Sequence, residues 1–156
     1  MRKYIIISLL LLVNTANSEM IIDNLENSEI RNWVYFTDKV MGGVATGTFV
    51  YINEDGENFY RMTGNVSTEN NGGFIQFATR VDNIDKGLQG IKIKVRGNNE
   101  DYELHLRTKF TPAPWQYYSS KFKVTKEWTE ILIPFQALKE LTSISLKNLN
   151  PLVLDQ

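Results

Sequence analysis

The sequence contains no cysteine and only one histidine, His105. Without cysteine the chain has no disulfide bond, no thiol nucleophile and no thiolate metal ligand. A zinc site around a single imidazole would need carboxylates for every other protein ligand, and no Gly-x-Ser-x-Gly turn supports a serine nucleophile beside it. We therefore predict a non-enzymatic protein with no catalytic residue, no metal ion and no cofactor. We also predict that His105 faces solvent or a ligand from a strand.

An excess of charge of either sign is also missing. The chain has 17 basic and 18 acidic residues, a formal net charge of −1. Nucleic-acid-binding domains present a basic surface, so we predict no nucleic-acid partner. Paired carboxylates such as Glu54-Asp55 and Glu100-Asp101 lie among turn-forming residues, where solvation disfavours the buried acid that glycoside hydrolysis needs.

Long apolar runs are absent except near the N-terminus. There, Arg2 and Lys3 precede about ten mostly apolar residues, 4–13, and the small residues Ala16-Asn17-Ser18 follow. The run is shorter than the roughly 20 residues of a membrane-spanning helix, and the pattern is typical of a cleavable signal peptide; an uncleaved anchor is the alternative. We predict a signal peptide over residues 1–18, one domain over 19–156, and export to the periplasm or the medium. After cleavage we expect no stable membrane span.

Alternation of apolar and polar residues is the dominant pattern. It runs through Gly90–Arg96 and resumes in Tyr102–Arg107 after a polar turn, which predicts a hairpin between these segments. Thr48–Ile52 and Phe59–Met62 flank Asn53-Glu54-Asp55-Gly56 and predict a second hairpin. The alternation predicts that Ile91, Ile93 and Val95 share one buried face, and that Glu103, His105 and Arg107 lie opposite Tyr102, Leu104 and Leu106.

Other short segments complete the predicted secondary structure. We predict further strands at Met20–Asp23, Phe74–Arg80, Tyr117–Val124 and Glu130–Ile133, and short helical turns within Ile30–Phe36 and Phe135–Leu141. No segment has the pattern of an amphipathic helix of three turns. Many short strands joined by polar turns predict an all-β fold, an antiparallel β-sandwich or jelly roll.

Two glycine pairs, Gly42-Gly43 and Gly72-Gly73, raise the question of phosphate binding. A P-loop would need a following Lys and Ser/Thr at the start of a helix, and a dinucleotide-binding turn would need Gly-x-Gly-x-x-Gly; neither is present. Glycine and asparagine tolerate positive φ, so we interpret both pairs as sharp turns at strand starts.

Four motifs in register carry a family resemblance. They are Trp33 with Asp38-Lys39-Val40-Met41-Gly42-Gly43, the block from Phe59 through Gly64 to Glu69-Asn70-Asn71-Gly72-Gly73-Phe74, the block Val95-Arg96-Gly97 with Tyr102 to Arg107, and the closing series Trp115, Tyr117, Phe122, Trp128 and Ile133-Pro134-Phe135. In order and approximate spacing these motifs resemble the complex I intermediate-associated protein family across about residues 21–135.

The resemblance implies a galactose-binding-like β jelly roll, an architecture that several carbohydrate-binding modules also use. Eukaryotic members of the family supply a mitochondrial chaperone that holds assembly intermediates of respiratory complex I. The sequence departs from the family pattern in two places: Asn98-Asn99 replaces an acidic Asp-Gly, and residues 141–154 lack the signature of the final strand. We therefore expect the C-terminal strand to be truncated or replaced, which would leave backbone groups unpaired along a sheet edge.

The candidate ligand- or partner-binding residues are aromatic and polar. Trp115 and Tyr117 are predicted to alternate on one strand face, where they would serve as core, sugar platform or protein contact. Arg96 and Arg107 are expected to be neighbours in the predicted hairpin, and Asp38, Glu69 and Asn71 would either pair with them structurally or complete a ligand-facing patch. The first hypothesis is a non-catalytic, chaperone-like module that binds a protein partner or assembly intermediate. The second is a carbohydrate-binding module that binds a glycan.

Overall fold

The computed structural model describes residues 19–26, 33–141 and 151–155, and this part of the chain is all-β. The predicted signal peptide lies outside the described residues. Within them, the helical segments are three 3₁₀ turns, at Asp38–Met41, Glu69–Asn71 and Phe135–Ala137. The strands are β1 (Val34–Thr37), β2 (Thr46–Glu54), β3 (Glu57–Asn65), β4 (Ile75–Arg80), β5 (Gly90–Val95), β6 (Asp101–Arg107), β7 (Tyr117–Lys123), β8 (Thr129–Pro134), β9 (Lys139–Leu141) and β10 (Pro151–Asp155).

The strands form a β-sandwich, as predicted. One layer is a six-stranded sheet in the order β1-β4-β10-β6-β7-β9, and two antiparallel pairs, β2–β3 and β5–β8, pack against it. The period-two alternation places Leu104 and Phe122 of the large sheet in one buried cluster with Ile91 and Ile133 of the β5–β8 pair. The antiparallel sandwich is therefore confirmed, whereas the jelly-roll connectivity and the galactose-binding-like classification stay predictions.

Aromatic rings fill the other half of the sandwich. The Phe49 ring of β2 stacks on Phe77 of β4, with ring centroids 4.4 Å apart, and on Tyr60 of β3 at 5.1 Å. Trp33 packs edge-on against Phe77 at 5.2 Å. These rings bury large apolar areas, so they supply much of the core that a domain without disulfides needs.

The β2–β3 hairpin is confirmed. Glu54 pairs with Glu57, and the two residues between them, Asp55 and Gly56, have φ angles of 54° and 80°. Positive φ at both central positions defines a type I′ turn, whose twist matches that of the flanking strands. The strands extend beyond the predicted segments, over Thr46–Glu54 and Glu57–Asn65.

The predicted hairpin between β5 and β6 is wrong. β5 pairs with β8, and β6 pairs with β7 and β10, so residues 97–100 carry the chain from one layer to the other. Backbone bonds from Gly97 N–H to the Thr125 carbonyl and from Val124 N–H to the Glu100 carbonyl hold this crossing. Alternation specifies the buried face of each strand, but two such faces can pack across the core as well as lie side by side.

Two smaller predictions need correction, and a third is confirmed. Met20–Asp23 forms no strand; instead the Asp23 carboxylate accepts hydrogen bonds from Trp33 Nε1 at 2.7 Å and Tyr60 OH at 3.2 Å. Residues 34–36 lie in β1 and not in a helical turn, while residues 30–32 of that prediction lie outside the described part. The short helical turn predicted within residues 135–141 is confirmed at Phe135–Ala137, and β9 begins at Lys139.

β10 lies in the middle of the large sheet, between β4 and β6 and parallel to both. Val153 pairs with Ala78 on one side and with His105 on the other. Residues 151–155 therefore contribute a strand to the sheet interior, and the truncation of the family's final strand stays a prediction. Because β4, β10 and β6 run in one direction, the loop that follows β6 lies at the opposite end of the sheet from the loop that precedes β4.

Candidate functional site

Asp38 connects two loops at the end of the sheet where β4 begins. Its side chain is 0% exposed, Oδ1 accepts a hydrogen bond from Ala45 N–H at 2.9 Å, and Oδ2 accepts one from Gly73 N–H at 2.6 Å. A buried carboxylate needs such charge-assisted bonds to offset the loss of water. Asp38 is therefore a structural clamp and does not form part of an exposed binding patch.

The clamp explains the glycine pairs. Gly42 and Gly73 have φ angles of +90° and +136°, which confirms the predicted sharp turns. Gly43 and Gly72 serve a different purpose: a Cβ at either position would overlap the Asp38 carboxyl group. Both pairs are thus needed to close the chain around one buried carboxylate, and neither forms a phosphate-binding loop.

Asn71 and Arg96 lie apart from the candidate residues Arg107, Trp115 and Tyr117. Asn71 is exposed at the end of a 3₁₀ turn with φ +60°, beside the Asp38 clamp. Arg96 directly follows β5, and its guanidinium stacks over the Trp128 ring at 4.9 Å and the Phe59 ring at 5.4 Å. The predicted neighbourhood of Arg96 and Arg107 is wrong, because β5 and β6 belong to different layers.

Three candidate residues do come together, around the loop of residues 108–116 between β6 and β7, here called the β6–β7 loop. Arg107 ends β6 and its Nη2 donates to the Pro112 carbonyl at 3.5 Å, while Tyr117 begins β7. Trp115 lies in the turn before β7, so its predicted strand position is wrong. β4 is six residues long, so roughly 17 Å of strand separates this end of the sheet from the Asp38 clamp.

Local hydrogen bonds fix the conformation of the β6–β7 loop. The buried Thr111 hydroxyl accepts from Thr108 N–H at 2.8 Å and donates to the Thr108 carbonyl at 3.0 Å. Further along, Gln116 Oε1 accepts from Ala113 N–H at 3.1 Å. Bonds of this kind occupy backbone groups that a loop would otherwise leave to water, so the loop holds a defined shape.

Two large aromatic side chains project from this ordered loop. Phe110 is 75% exposed and Trp115 is 52% exposed, the two most exposed aromatic residues among the large hydrophobic side chains described. The Lys109 ammonium lies 5.1 Å from the centroid of the Phe110 ring. Exposed aromatic residues on a rigid backbone lose little conformational entropy on binding, and such residues dominate many protein interfaces.

A buried polar cluster lies next to the loop on the outer face of β6 and β7. The His105 ring stacks on Tyr117, with centroids 3.8 Å apart, and its Nε2 is 3.7 Å from Glu103 Oε2. His105 is only 5% exposed, so it does not face solvent, and the ligand-facing alternative stays a prediction; its predicted face, opposite Leu104, is correct. Burial acts to raise the pKa of Glu103, but donors on His105 and Ser119 and the nearby charges outweigh it and lower that pKa.

The stack with His105 also limits how much of the Tyr117 ring is open to a ligand. One face of its ring is covered by His105, and burial raises its pKa, with a further contribution from the Glu103 charge. Tyr117 and Trp115 therefore do not present two open rings on one strand. Phe110 was missed by the sequence analysis, because a single aromatic residue in a polar loop carries no periodic signal.

The described residues contain neither a cluster of metal-ligating side chains nor a helix that could span a membrane. No group of three or more His, Asp or Glu side chains in residues 19–26 and 33–141 is arranged to hold a metal ion. In the same part of the chain no helix is long and apolar enough to cross a membrane.

Comparison with known proteins identifies one family. Neither the curated proteins nor the solved structures contain a match. A family model does match, over residues 22–150, and its range includes the clamp formed by Asp38 with both glycine pairs, the β5–β6 crossing and the β6–β7 loop. The chain belongs to the complex I intermediate-associated protein 30 (CIA30) family.

Proposed function

We propose that this protein is a non-catalytic binding domain, similar in role to an assembly factor, that holds a protein partner through the β6–β7 loop. The observation that carries the proposal is the exposure of Phe110 and Trp115 on a loop whose backbone is fixed by its own hydrogen bonds. Membership of an assembly-factor family supports a protein as the partner. On the basis of the predicted signal peptide, we further propose that the partner is met outside the cytoplasm.

The physical basis of binding is the burial of these two rings. Each large aromatic side chain removes on the order of 150–250 Å² of surface from water when fully buried. The free energy of binding becomes more favourable in proportion to the apolar area buried. The rigid loop limits the ordering cost that usually offsets such a gain. Arg107 lies at the base of the loop, where its contact with the Pro112 carbonyl supports the loop from below.

Photo-crosslinking from the loop tests this proposal. A photoreactive amino acid at Phe110 should give a discrete crosslinked protein in the native envelope, and the same probe at Val50, an exposed apolar residue of β2, should not. Replacing Trp115 with serine should abolish the crosslink while the fold, followed by circular dichroism, persists. Equal crosslinking from both positions, or a crosslink that survives Trp115→Ser, would refute the proposal.

A carbohydrate ligand is the alternative that the exposed Trp115 ring leaves open. Exposed aromatic rings stack on sugars, but a platform shared with Tyr117 is disfavoured because His105 covers that ring. Glycan binding would quench tryptophan fluorescence, and Trp115→Phe would retain part of the binding. A glycan array without hits for the purified protein would eliminate this alternative.

A further inference from the structure

The outer face of the β5–β8 pair carries an ordered row of basic side chains. Lys92 and Lys94 of β5 point away from the core and pair in register with Leu132 and Glu130 of β8. The next step of the register beyond Val95 and Thr129 sets Arg96 opposite Trp128, consistent with their 4.9 Å contact. We call Lys92, Lys94 and Arg96 the basic row.

Two aromatic rings hold the Arg96 guanidinium in place. Trp128 and Phe59 pack edge to face, with centroids 5.7 Å apart and an interplanar angle of 69°, and Arg96 lies over both. The Lys94 ammonium is 5.6 Å from the Trp128 ring, and the Arg61 guanidinium is 5.3 Å from the Phe59 ring. Stacking of this kind orients a guanidinium but leaves the N–H groups at its edge available.

Carboxylates of the chain itself already contact most of these cations. Lys92 pairs with Glu19 at 3.5 Å, and Lys94 pairs with Glu57 at 3.9 Å, both at exposed positions where such pairs are weak. Arg61 likewise pairs with Glu54 at 3.3 Å. In the described residues, Arg96 alone of these four cations has no carboxylate partner and donates no hydrogen bond. The guanidinium is held over two rings and contacts no carboxylate of the described residues, so its edge is open to a carboxylate from outside.

We propose that the basic row binds an extended acidic segment of the protein partner. Side chains two residues apart on a strand are about 7 Å apart, so a peptide with carboxylates at alternate positions would match Lys92, Lys94 and Arg96 in turn. Leu132, 68% exposed, and Trp128, 38% exposed, lie beside the row on the same face of the β5–β8 pair. This inference rests on the proposed function for the choice of a protein as ligand, and it adds a second contact surface with a defined chemistry.

Fluorescence anisotropy with a defined probe tests the inference. The probe is a labelled nine-residue peptide with glutamate at every second position, and the control peptide has glutamine in place of glutamate. The purified protein should bind the first peptide at low salt and not the second. Arg96→Gln should weaken binding about tenfold, because it removes a charged bidentate contact, and Arg96→Lys should restore only part of it. Lys86→Gln, which removes one exposed charge from the loop before β5, should change the affinity less than twofold.

Four results would overturn the inference. They are no binding of the acidic peptide, equal binding of the glutamine peptide, and equal losses of affinity in Arg96→Gln and Lys86→Gln. The fourth is displacement of the bound acidic peptide by inorganic phosphate at the same concentration at which free glutamate displaces it. The first would exclude the site, and the others would indicate a nonspecific or general anion interaction. Trp115→Ser should leave peptide binding unchanged. Peptide binding that fails while the Phe110 crosslink persists would therefore reject the basic row and leave the proposed function intact.

Discussion

The Asp38 clamp yields the sharpest prediction about stability. In Asp38→Ala, the N–H groups of Ala45 and Gly73 lose their acceptor in a buried place, since Ala45 is fully buried and Gly73 is buried. Each unsatisfied buried donor costs about 1–3 kcal/mol, so we expect the free energy of unfolding to fall by about 3–5 kcal/mol. A domain of this size has only about 5–15 kcal/mol to lose.

Asp38→Asn separates hydrogen bonding from packing. The amide keeps the shape of the carboxylate but presents an NH₂ donor to one of the two backbone N–H donors. We expect a loss of about 2 kcal/mol, smaller than that of the alanine variant. Asp101→Ala, at an exposed position at the start of β6, is the matched control and should stay within about 0.5 kcal/mol of the wild type.

A double-mutant cycle with Gly72 tests the steric part of the argument. The Gly72 backbone is extended, with φ −81°, so alanine is unstrained there, but its Cβ would overlap the Asp38 carboxyl group. Gly72→Ala should therefore cost about 2–3 kcal/mol in the wild type and less in the Asp38→Ala background, where the carboxyl group is gone while the Gly43 Cα still lies 3.0 Å from the added methyl group.

Urea unfolding followed by tryptophan fluorescence measures the stability of the wild type and the five variants, with m-values compared to confirm that the unfolding transition is the same. The reasoning is refuted by an Asp38→Ala loss below about 1 kcal/mol, since two buried donors would then have found other partners. It is equally refuted by a Gly72→Ala cost that is the same in both backgrounds, since the two side chains would then not compete for space.

Two further predictions concern pH and the last strand. Burial, with the nearby Asp23 carboxylate, raises the pKa of Tyr60 from 10.0 to about 12. Between pH 10 and about pH 12 the unfolded chain therefore releases a proton that the folded chain keeps. The free energy of unfolding should decline as the pH rises through this range. Tyr60→Phe should decline less steeply in urea unfolding measured across this range, and an unchanged slope would contradict the assignment. Val153→Pro should lower stability by about 2 kcal/mol or more, because β10 is paired on both sides and proline has no N–H to donate. Val153→Thr keeps that donor and is the control; equal behaviour of the two variants would argue against the central position of β10.

The sequence predicted the buried faces better than the strand partners. Ile91 was assigned to a buried face and Leu104 to the face opposite His105, and both lie in the core, because alternation reports which side of a strand is apolar. The same alternation suggested that their strands pair, and that was wrong, because the polar turn at residues 97–100 crosses between layers. The Asp-Gly turn of β2–β3 was predictable because its positive φ angles depend on local residues alone.

For the candidate residues too, contacts between residues close in sequence were predictable and contacts between distant segments were not. Trp115 and Tyr117 are close in sequence and stay close in the structure, whereas Arg96 and Arg107 are separated by the layer crossing. Asp38 was correctly noted as part of a motif, but its partner amide at Gly73 is 35 residues away and could not be assigned from spacing. The aromatic setting of Arg96 was also hidden, because Phe59 and Trp128 come from distant segments.

By itself the sequence determined an all-β chain, its apolar faces, its tight turns and its family, since each of these depends on residues within one strand or motif. Only the tertiary structure decided that Asp38 accepts a hydrogen bond from Gly73 of the other glycine pair and that the single histidine is buried. It also decided that Arg96 lies over the rings of Phe59 and Trp128. The physical reason is that hydrogen bonds and ring contacts form between groups that are close in space. Strand alternation restricts which groups face inward but leaves their partners to the packing of the layers.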